Sequence, residues 1–207
     1  AIVAAAAPWG RLDALEVWDH FIARHKTDEL RRWLTGHSMG GHGTWQLGGH
    51  FPDRFAAIAP CSGWVSFFSY ANQKEFHPVQ GDSTIAELLR RATNPSNTLG
   101  LSNNWKHYGI YVLHGDADDN VPVTEARTMR ERLGQFHTDF CYYEKPGAGH
   151  WWDNTAVDWP PLMEFIKART RKPASEVREI DFTTVSPSIS AACHWVGVGE
   201  QERAFVP

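Results

Sequence analysis

The sequence has 207 residues, with 20 basic and 24 acidic side chains, which give a net charge of −4 when histidine is neutral. This length fits one domain, or one domain and part of a second. Apolar residues make up 42% of the chain, so it can bury a sizeable core and is not disordered as a whole. No apolar stretch approaches the roughly 18 residues that a membrane span requires. The absence of a basic run argues against nucleic acid as the main partner.

The three cysteines, Cys61, Cys141 and Cys193, are widely spaced and form no CxxC pair. Their odd number and spacing predict neither a disulfide framework nor a zinc site. The chain begins at Ala1 without a basic segment before its first alanine run, so we expect that any leader has been lost or was never part of this sequence. The cellular compartment is therefore left open.

The first elements in the chain are predicted to be a helix, a strand and a second helix. Apolar residues recur at helical spacing over residues 12–22, which is typical of an amphipathic helix. A short apolar run at 33–35 precedes a glycine-rich turn at 36–41, and the next helix must end before Pro52. The apolar run at 55–59 is short enough for a buried parallel strand.

The middle of the chain predicts an insertion and then a renewed alternation of strands and helices. Residues 61 to about 105 are aromatic and irregular, with one helix expected at 84–91, and we interpret them as an insertion that covers the sheet. Strands are predicted at 109–113 and 140–143, and helices at 122–134 and 162–168. This alternation is typical of a parallel α/β sheet.

The pattern changes beyond Pro173. Residues 177–185 and 189–198 predict two strands with no helix between them, as in the first hairpin of an all-β module. We therefore expect residues 1–172 to form the later half of a doubly wound parallel sheet. Residues 173–207 are expected to be a linker and the first strands of a truncated β module.

A G-x-S-x-G pattern, Gly36-His37-Ser38-Met39-Gly40, lies between the first predicted strand and the following helix. A nucleophilic serine needs a sharp turn here to raise its hydroxyl above the sheet, and the flanking glycines leave room for crossing backbones. A glycine-rich turn before a closely packed helix is the other explanation of the pattern. Ser38 is therefore a candidate nucleophile that requires two partners.

A serine hydroxyl becomes a good nucleophile when an imidazole removes its proton and a carboxylate orients that imidazole. In a doubly wound sheet these partners follow later strands, in the order Ser, Asp, His. Asp116, Asp118 and Asp119 follow the strand predicted at 109–113. Each of the three acids could instead stabilise the turn, and we favour Asp118 as the orienting carboxylate.

Eleven histidines compete for the role of base. His37 flanks the candidate nucleophile and is expected to point away from the site, and His114 is expected to pack under its loop. His150 follows a predicted strand and a flexible glycine-containing segment at 147–149. We therefore favour His150 as the general base.

Three segments resemble the signatures of one known family: GHSMGGHGTW around Ser38, HGDADDNVP around Asp118 and GAGHWWD around His150. They are similar to those of the α/β-hydrolase superfamily, specifically the prolyl-oligopeptidase-like serine hydrolases, over roughly residues 10–170. The pattern HG-x-x-D-x-x-VP selects Asp118 over its neighbours. The resemblance implies cleavage of peptide or ester bonds through an acyl-enzyme, without a metal or an organic cofactor. It does not imply proline specificity, since the family also includes esterases.

The chain departs from the family pattern at the oxyanion hole. The backbone N–H of Met39 is expected to be one donor, but the second donor normally comes from a loop after an early strand, which we do not find. We therefore expect a partial catalytic domain, with an uncovered sheet edge beside Trp33 through which chains can associate. A carboxylesterase and a noncatalytic binding protein on a decayed hydrolase scaffold are the alternatives.

Aromatic residues concentrate near the expected site. Trp64, Phe67 and Tyr70 follow a predicted strand, and Trp151 directly follows His150. These side chains either fill the core beneath the insertion or form the walls of a pocket for the acyl group or side chain of a substrate. Trp64, Phe67 and Trp151 are the candidate pocket residues.

Overall fold

The structure is a computed structural model that describes residues 8–72 and 83–207. In these ranges the helices are α1 (Pro8–Arg24), α2 (Met39–His50), α3 (Phe67–Asn72), α4 (Thr84–Thr93), α5 (Thr124–Gly134) and α6 (Pro160–Lys167). The strands are β1 (Trp33–His37), β2 (Ala57–Cys61), β3 (Gly109–Gly115), β4 (Phe140–Lys145), β5 (Ala192–Cys193) and β6 (Val196–Gly197). A 3₁₀ helix, Thr98–His107, leads into β3. None of the helices described here combines the length and apolarity needed to cross a membrane.

The main sheet has four parallel strands in the order β1-β2-β3-β4. Every residue of the two inner strands, β2 and β3, is buried, as expected for strands covered on both faces. The predicted parallel α/β sheet is therefore confirmed. Among the described strands β1 lies at one edge, so the expected edge beside Trp33 is present, whereas association through it stays a prediction.

Alternating side chains of the inner strands fill two separate cores. Ile58, Ile110 and Val112 pack with the buried residues of α2 and α5. Ala59 and Leu113 point to the other face, where they pack with the apolar side of α6. The strand period of two residues thus explains why helices cover both faces of the sheet.

Strand β2 lies two residues later than predicted, because the sequence pattern treated Pro60 as its end. The structure includes Pro60 in the ladder opposite Gly36. Pairing of β2 with β3 is interrupted at Ala59 and Pro60 and resumes at Cys61, since proline has no N–H to donate. This extra length carries β2 up to the serine turn.

The end of the predicted insertion belongs to the core, whereas α4 within it is largely exposed. Leu101 and Trp105 are fully buried, and the ring of Trp105 lies 4.7 Å from that of Trp45 in α2. The helix predicted at 84–91 is confirmed as α4, and the segment between α3 and α4 lies outside the described residues. The 3₁₀ helix therefore closes the core over α2.

The C-terminal segment is only partly as predicted. Strands β5 and β6 form a short antiparallel hairpin inside the stretch that was predicted as a single strand at 189–198. The predicted pairing of 177–185 with 189–198 is wrong, since the stretch 177–185 has no regular secondary structure. Its backbone is bound instead by a buried side chain: Asn104 donates to the Thr183 carbonyl at 2.7 Å and accepts from the Thr183 N–H at 2.8 Å. The division into two domains at residue 172 stays a prediction.

We expect Asn104→Ala to lower the free energy of unfolding by about 2–4 kcal/mol, because it leaves both groups of Thr183 and the Gly49 carbonyl without their partner. Urea denaturation of the 207-residue chain measures this change. Asn103→Ala is the matched control, since Asn103 is only half-buried. Equal losses for the two variants would contradict a role of Asn104 in holding the C-terminal segment.

Candidate active site

The serine turn is strained in the way that a raised nucleophile requires. Ser38 has φ 58° and ψ −117°, between the end of β1 and the first residue of α2. A positive φ is rare for a residue with a side chain, so the surrounding structure must impose it. The Ser38 N–H donates to the Cys61 carbonyl at the end of β2, at 2.9 Å, and this bond anchors the turn to the sheet.

Two glycines allow the close crossings around this turn. A Cβ on Gly36 would lie 2.4 Å from the Gly40 oxygen, and one on Gly41 would lie 2.3 Å from the Cys61 oxygen. A Cβ on Gly40 would meet nothing within 4 Å. The expectation that both motif glycines provide room is therefore correct for Gly36 and wrong for Gly40, and Gly41 has the second tight position.

Ser38, His150 and Asp118 form a continuous chain of hydrogen bonds. His150 Nε2 lies 2.9 Å from Ser38 Oγ, and His150 Nδ1 lies 2.8 Å from Asp118 Oδ2. A carboxylate only accepts hydrogen bonds, so Nδ1 carries the hydrogen and Nε2 presents its lone pair to the serine hydroxyl. The three residues follow β1, β3 and β4 at the carboxyl edge of the parallel sheet, where such loops meet.

The loops after β3 and β4 support each other. A Cβ on Gly115 would lie 2.3 Å from the Ala148 oxygen, so the two backbones are in contact. The Ala117 N–H donates to that Ala148 carbonyl at 3.0 Å, and the exposed Asp116 carboxylate accepts from the Gly147 N–H at 2.6 Å. Asp116 thus stabilises the loops, in agreement with the turn role given above as its alternative. Asp118 is the acid that contacts His150.

Buried hydrogen bonds keep the Asp118 carboxyl ionised. Burial alone would raise its pKa, but hydrogen bonds from His114, His150 and the backbone N–H groups of Val121 and Asn120 together lower the pKa well below its usual value. His114 Nε2 lies 3.2 Å from Asp118 Oδ2 and 2.8 Å from the Val121 carbonyl. Both are acceptors, so Nε2 carries the hydrogen. His114 packs beneath its loop as predicted, but its contact with Asp118 was not predicted from the sequence.

His37 does not point away from the site, and that prediction is wrong. Its Nε2 lies 2.7 Å from the His150 carbonyl, to which it donates, and its ring lies 4.7 Å from the His150 ring. The edge of Trp151 packs on His37 at 4.7 Å. His37 is the last residue of β1, and the alternation of the strand places it on the same face as Trp33 and Thr35, where it meets the loop after β4.

The candidate pocket residues differ in exposure. Trp64 is buried and stacks on His42 at 5.0 Å and on Tyr70 at 4.6 Å. Phe67 and Trp151 are 41% and 56% exposed. Trp64 therefore contributes to packing, and the role of all three residues in substrate binding stays a proposal.

The segment that carries these aromatics is held by two buried polar groups that sequence reasoning missed. Glu125 in α5 accepts from the Val65 N–H and from Ser69 Oγ, both at 2.8 Å, and burial raises the pKa of this carboxyl. His42 in α2 donates from Nδ1 to the Trp64 carbonyl at 2.7 Å. Burial lowers the pKa of His42 to about 4, so the ring is neutral at physiological pH. No local motif marks either residue, because each partner is distant in sequence.

A sequence model of the prolyl oligopeptidase family matches residues 9–168. The chain belongs to this family. It is similar to an uncharacterized secreted protein of Arthroderma benhamiae, 35% identical over 140 residues, which are 68% of this chain and 15% of that protein. It is also similar to a probable dipeptidyl-aminopeptidase B of Ajellomyces capsulatus, 29% identical over 131 residues, or 61% of this chain and 14% of that protein. The chain thus spans about one seventh of the length of these relatives.

The fold agrees with the prolyl oligopeptidase family as well. A structure of Pyrococcus horikoshii acylaminoacyl peptidase superposes with a TM-score of 0.63 over 83% of this chain and 29% of that one, at 20% sequence identity. At this identity the similarity establishes the fold alone. The chain therefore belongs to this family and has the α/β-hydrolase sheet.

We expect Gly41→Ala to lower the free energy of unfolding by about 1–3 kcal/mol, because the added methyl group forces the backbones of α2 and β2 apart. Gly40→Ala is the matched control in the same helix. It should leave stability unchanged or raise it by up to about 1 kcal/mol, since alanine restricts the unfolded chain more than glycine does. Urea denaturation of both variants measures the difference, and a larger loss for Gly40→Ala would refute the assignment of the tight crossing to Gly41.

Proposed function

We propose that this chain is the catalytic part of a serine peptidase, with Ser38 as nucleophile, His150 as general base and then general acid, and Asp118 as orienting carboxylate. The observation that carries this proposal is the hydrogen-bonded series from Ser38 Oγ through His150 to Asp118. Family membership supports it independently, because the matched region contains all three residues.

The first chemical step follows from these contacts. The Ser38 hydroxyl hydrogen passes to His150 Nε2 while Oγ attacks the substrate carbonyl. The imidazolium that forms lies beside the ionised, buried Asp118, which stabilises its charge and holds its Nδ1–H in place. His150 then protonates the leaving amine, and water hydrolyses the acyl-enzyme by the reverse sequence of proton transfers.

The developing oxyanion requires hydrogen-bond donors. Met39 is the first residue of α2, and the N–H groups of a first helical turn have no partner within the helix. We assign the Met39 N–H as one oxyanion donor. The proposed mechanism requires a second donor as well. The loss of one oxyanion donor lowers turnover by about 10²–10³-fold where it has been measured. The placement of the Met39 N–H therefore has a large influence on the rate.

A peptide is the substrate we favour. The named relatives are a probable dipeptidyl-aminopeptidase and an acylaminoacyl peptidase, both of which are peptidases by name. The exposed rings of Phe67 and Trp151 offer apolar surface for a substrate side chain, and the buried ring of Trp64 packs against Phe67. Cleavage of an ester would use the same three residues, Ser38, His150 and Asp118. A noncatalytic binding protein would require none of these three side chains.

A fluorophosphonate probe is expected to label the folded 207-residue chain at Ser38, and Ser38→Ala should abolish labelling, because the probe reacts only with an activated hydroxyl. Ser62→Ala is the matched control, since Ser62 is also a serine at a strand end with positive φ, but its hydroxyl is fully buried. Peptide mapping by mass spectrometry identifies the labelled residue. No labelling of the folded chain would favour the noncatalytic alternative, and equal labelling of Ser38→Ala would show that another residue is the nucleophile.

Asp118→Asn should reduce turnover by about 10⁴-fold, the loss observed in the best-studied triad, because an amide stabilises the wrong imidazole tautomer and carries no charge. Asp116→Asn should change turnover only slightly, since Asp116 binds the backbone of Gly147 rather than His150. Rates on peptide p-nitroanilides and p-nitrophenyl esters measure both effects. A greater loss with Asp116→Asn contradicts the assignment, and cleavage of esters alone would identify a carboxylesterase.

A further inference from the structure

A cluster of potential metal ligands lies away from the proposed catalytic residues. His107, Cys193 and His194 each offer one ligand atom, and these atoms all lie within 4.8 Å of one another. His107 ends the 3₁₀ helix before β3, whereas Asp118 follows β3 at its other end. The seven-residue strand between them spans about 20 Å. The cluster is therefore separate from the proposed active site and does not depend on the proposed function.

The β5–β6 hairpin presents two of the three ligands. Cys193 is the last residue of β5, and His194 begins the two-residue turn to β6 with φ 51°. The His194 N–H donates to Asp53 Oδ2 at 2.9 Å, so the turn is attached to the short 3₁₀ helix Pro52–Arg54 that precedes β2. Cys193 is fully buried. The hairpin is thus held with both side chains close to His107.

The third ligand is oriented by a backbone carbonyl. His107 Nε2 lies 3.0 Å from the Asp181 carbonyl oxygen. A carbonyl only accepts hydrogen bonds, so Nε2 carries the hydrogen and Nδ1 is the ring nitrogen that keeps a lone pair. Histidine ligands in metalloproteins usually have their second ring nitrogen fixed in this way.

The cluster adjoins a cavity that provides access from solvent. His107 and His194 belong to the wall of this cavity of about 620 Å³, between the C-terminal segment and the start of β3. Water can therefore reach the two histidines, whereas the buried Cys193 is not part of the cavity wall. The Asp53 carboxylate, bound to the backbone of His194, supplies negative charge beside the cluster.

We propose that His107, Cys193 and His194 bind a zinc ion, with water from the cavity as the fourth ligand. One thiolate and two imidazoles are donors that suit Zn²⁺ in tetrahedral geometry. Coordination requires the Cys193 thiolate, so the thiol proton is released to solvent on binding. The ion joins the C-terminal hairpin to the 3₁₀ helix that packs on α2, and its binding stabilises this junction.

Titration with Co²⁺ as a spectroscopic probe tests the ligand set directly. The folded 207-residue chain is expected to bind one equivalent of Co²⁺ with a thiolate-to-metal charge-transfer band and the visible bands of a tetrahedral ion, and Zn²⁺ should displace both. Cys193→Ser should abolish the charge-transfer band. Cys141→Ser, which changes an exposed cysteine of β4, should leave it unchanged. Absence of the band in the unmodified chain, or its survival in Cys193→Ser, would overturn the proposal.

Thermal unfolding provides a second test that does not alter the buried cysteine. Zn²⁺ should raise the Tm of the unmodified chain, because a ligand that binds only the folded state stabilises it, and EDTA should reverse the rise. The variants His107→Gln and His194→Gln change partly exposed side chains and should lose the zinc-dependent rise. A rise that persists in the double variant would show that zinc binds elsewhere and would refute this site.

Discussion

The close crossing of the serine turn over the end of β2 is the constraint on which the site depends. Ser38 is held at positive φ by its N–H bond to Cys61 and by contacts that leave no room for a Cβ on Gly36 or Gly41. Strands β1 and β2 are paired in full register up to His37 and Cys61, and the residues that follow them, Ser38 and Ser62, both have positive φ. The turn thus raises the Ser38 hydroxyl above the carboxyl edge of the sheet independently of His150 and Asp118.

The partners of Ser38 are positioned by buried polar contacts between loops. His150 is oriented by the Asp118 carboxylate at Nδ1 and by His37 at its backbone carbonyl. Asp118 accepts hydrogen bonds from two backbone N–H groups of its own loop, Asn120 and Val121, and from His114. A buried carboxylate is stable only when such bonds satisfy it. The loop conformation therefore stabilises the charge of Asp118, and the charged carboxylate in turn holds the N–H groups of the loop in place.

The C-terminal segment is attached to the hydrolase sheet at several points. Asn104 binds the backbone of Thr183, Asp53 binds that of His194, and Val185 is fully buried. The proposed zinc ion would add a further link, because it would be coordinated both by the hairpin and by the end of the 3₁₀ helix. Both ends of β3 thus lie beside clusters of polar residues, one proposed to be catalytic and the other proposed to bind metal.

Local sequence patterns indicated the four strands of the main sheet, most of the helices and the candidate triad of this protein. Helical and strand periods reflect which side of each element is buried, and the G-x-S-x-G and HG-x-x-D patterns reflect turns whose geometry only certain residues permit. Ser38, Asp118 and His150 were therefore identifiable as candidates before the fold was known. The contact of His37 with His150, the clamp of Glu125 on Val65 and the meeting of His107 with Cys193 were decided by the tertiary structure. These pairs are separated by 60 or more residues in the chain, and no local period or spacing encodes which distant surfaces come into contact when the helices, the sheet and the C-terminal segment pack together.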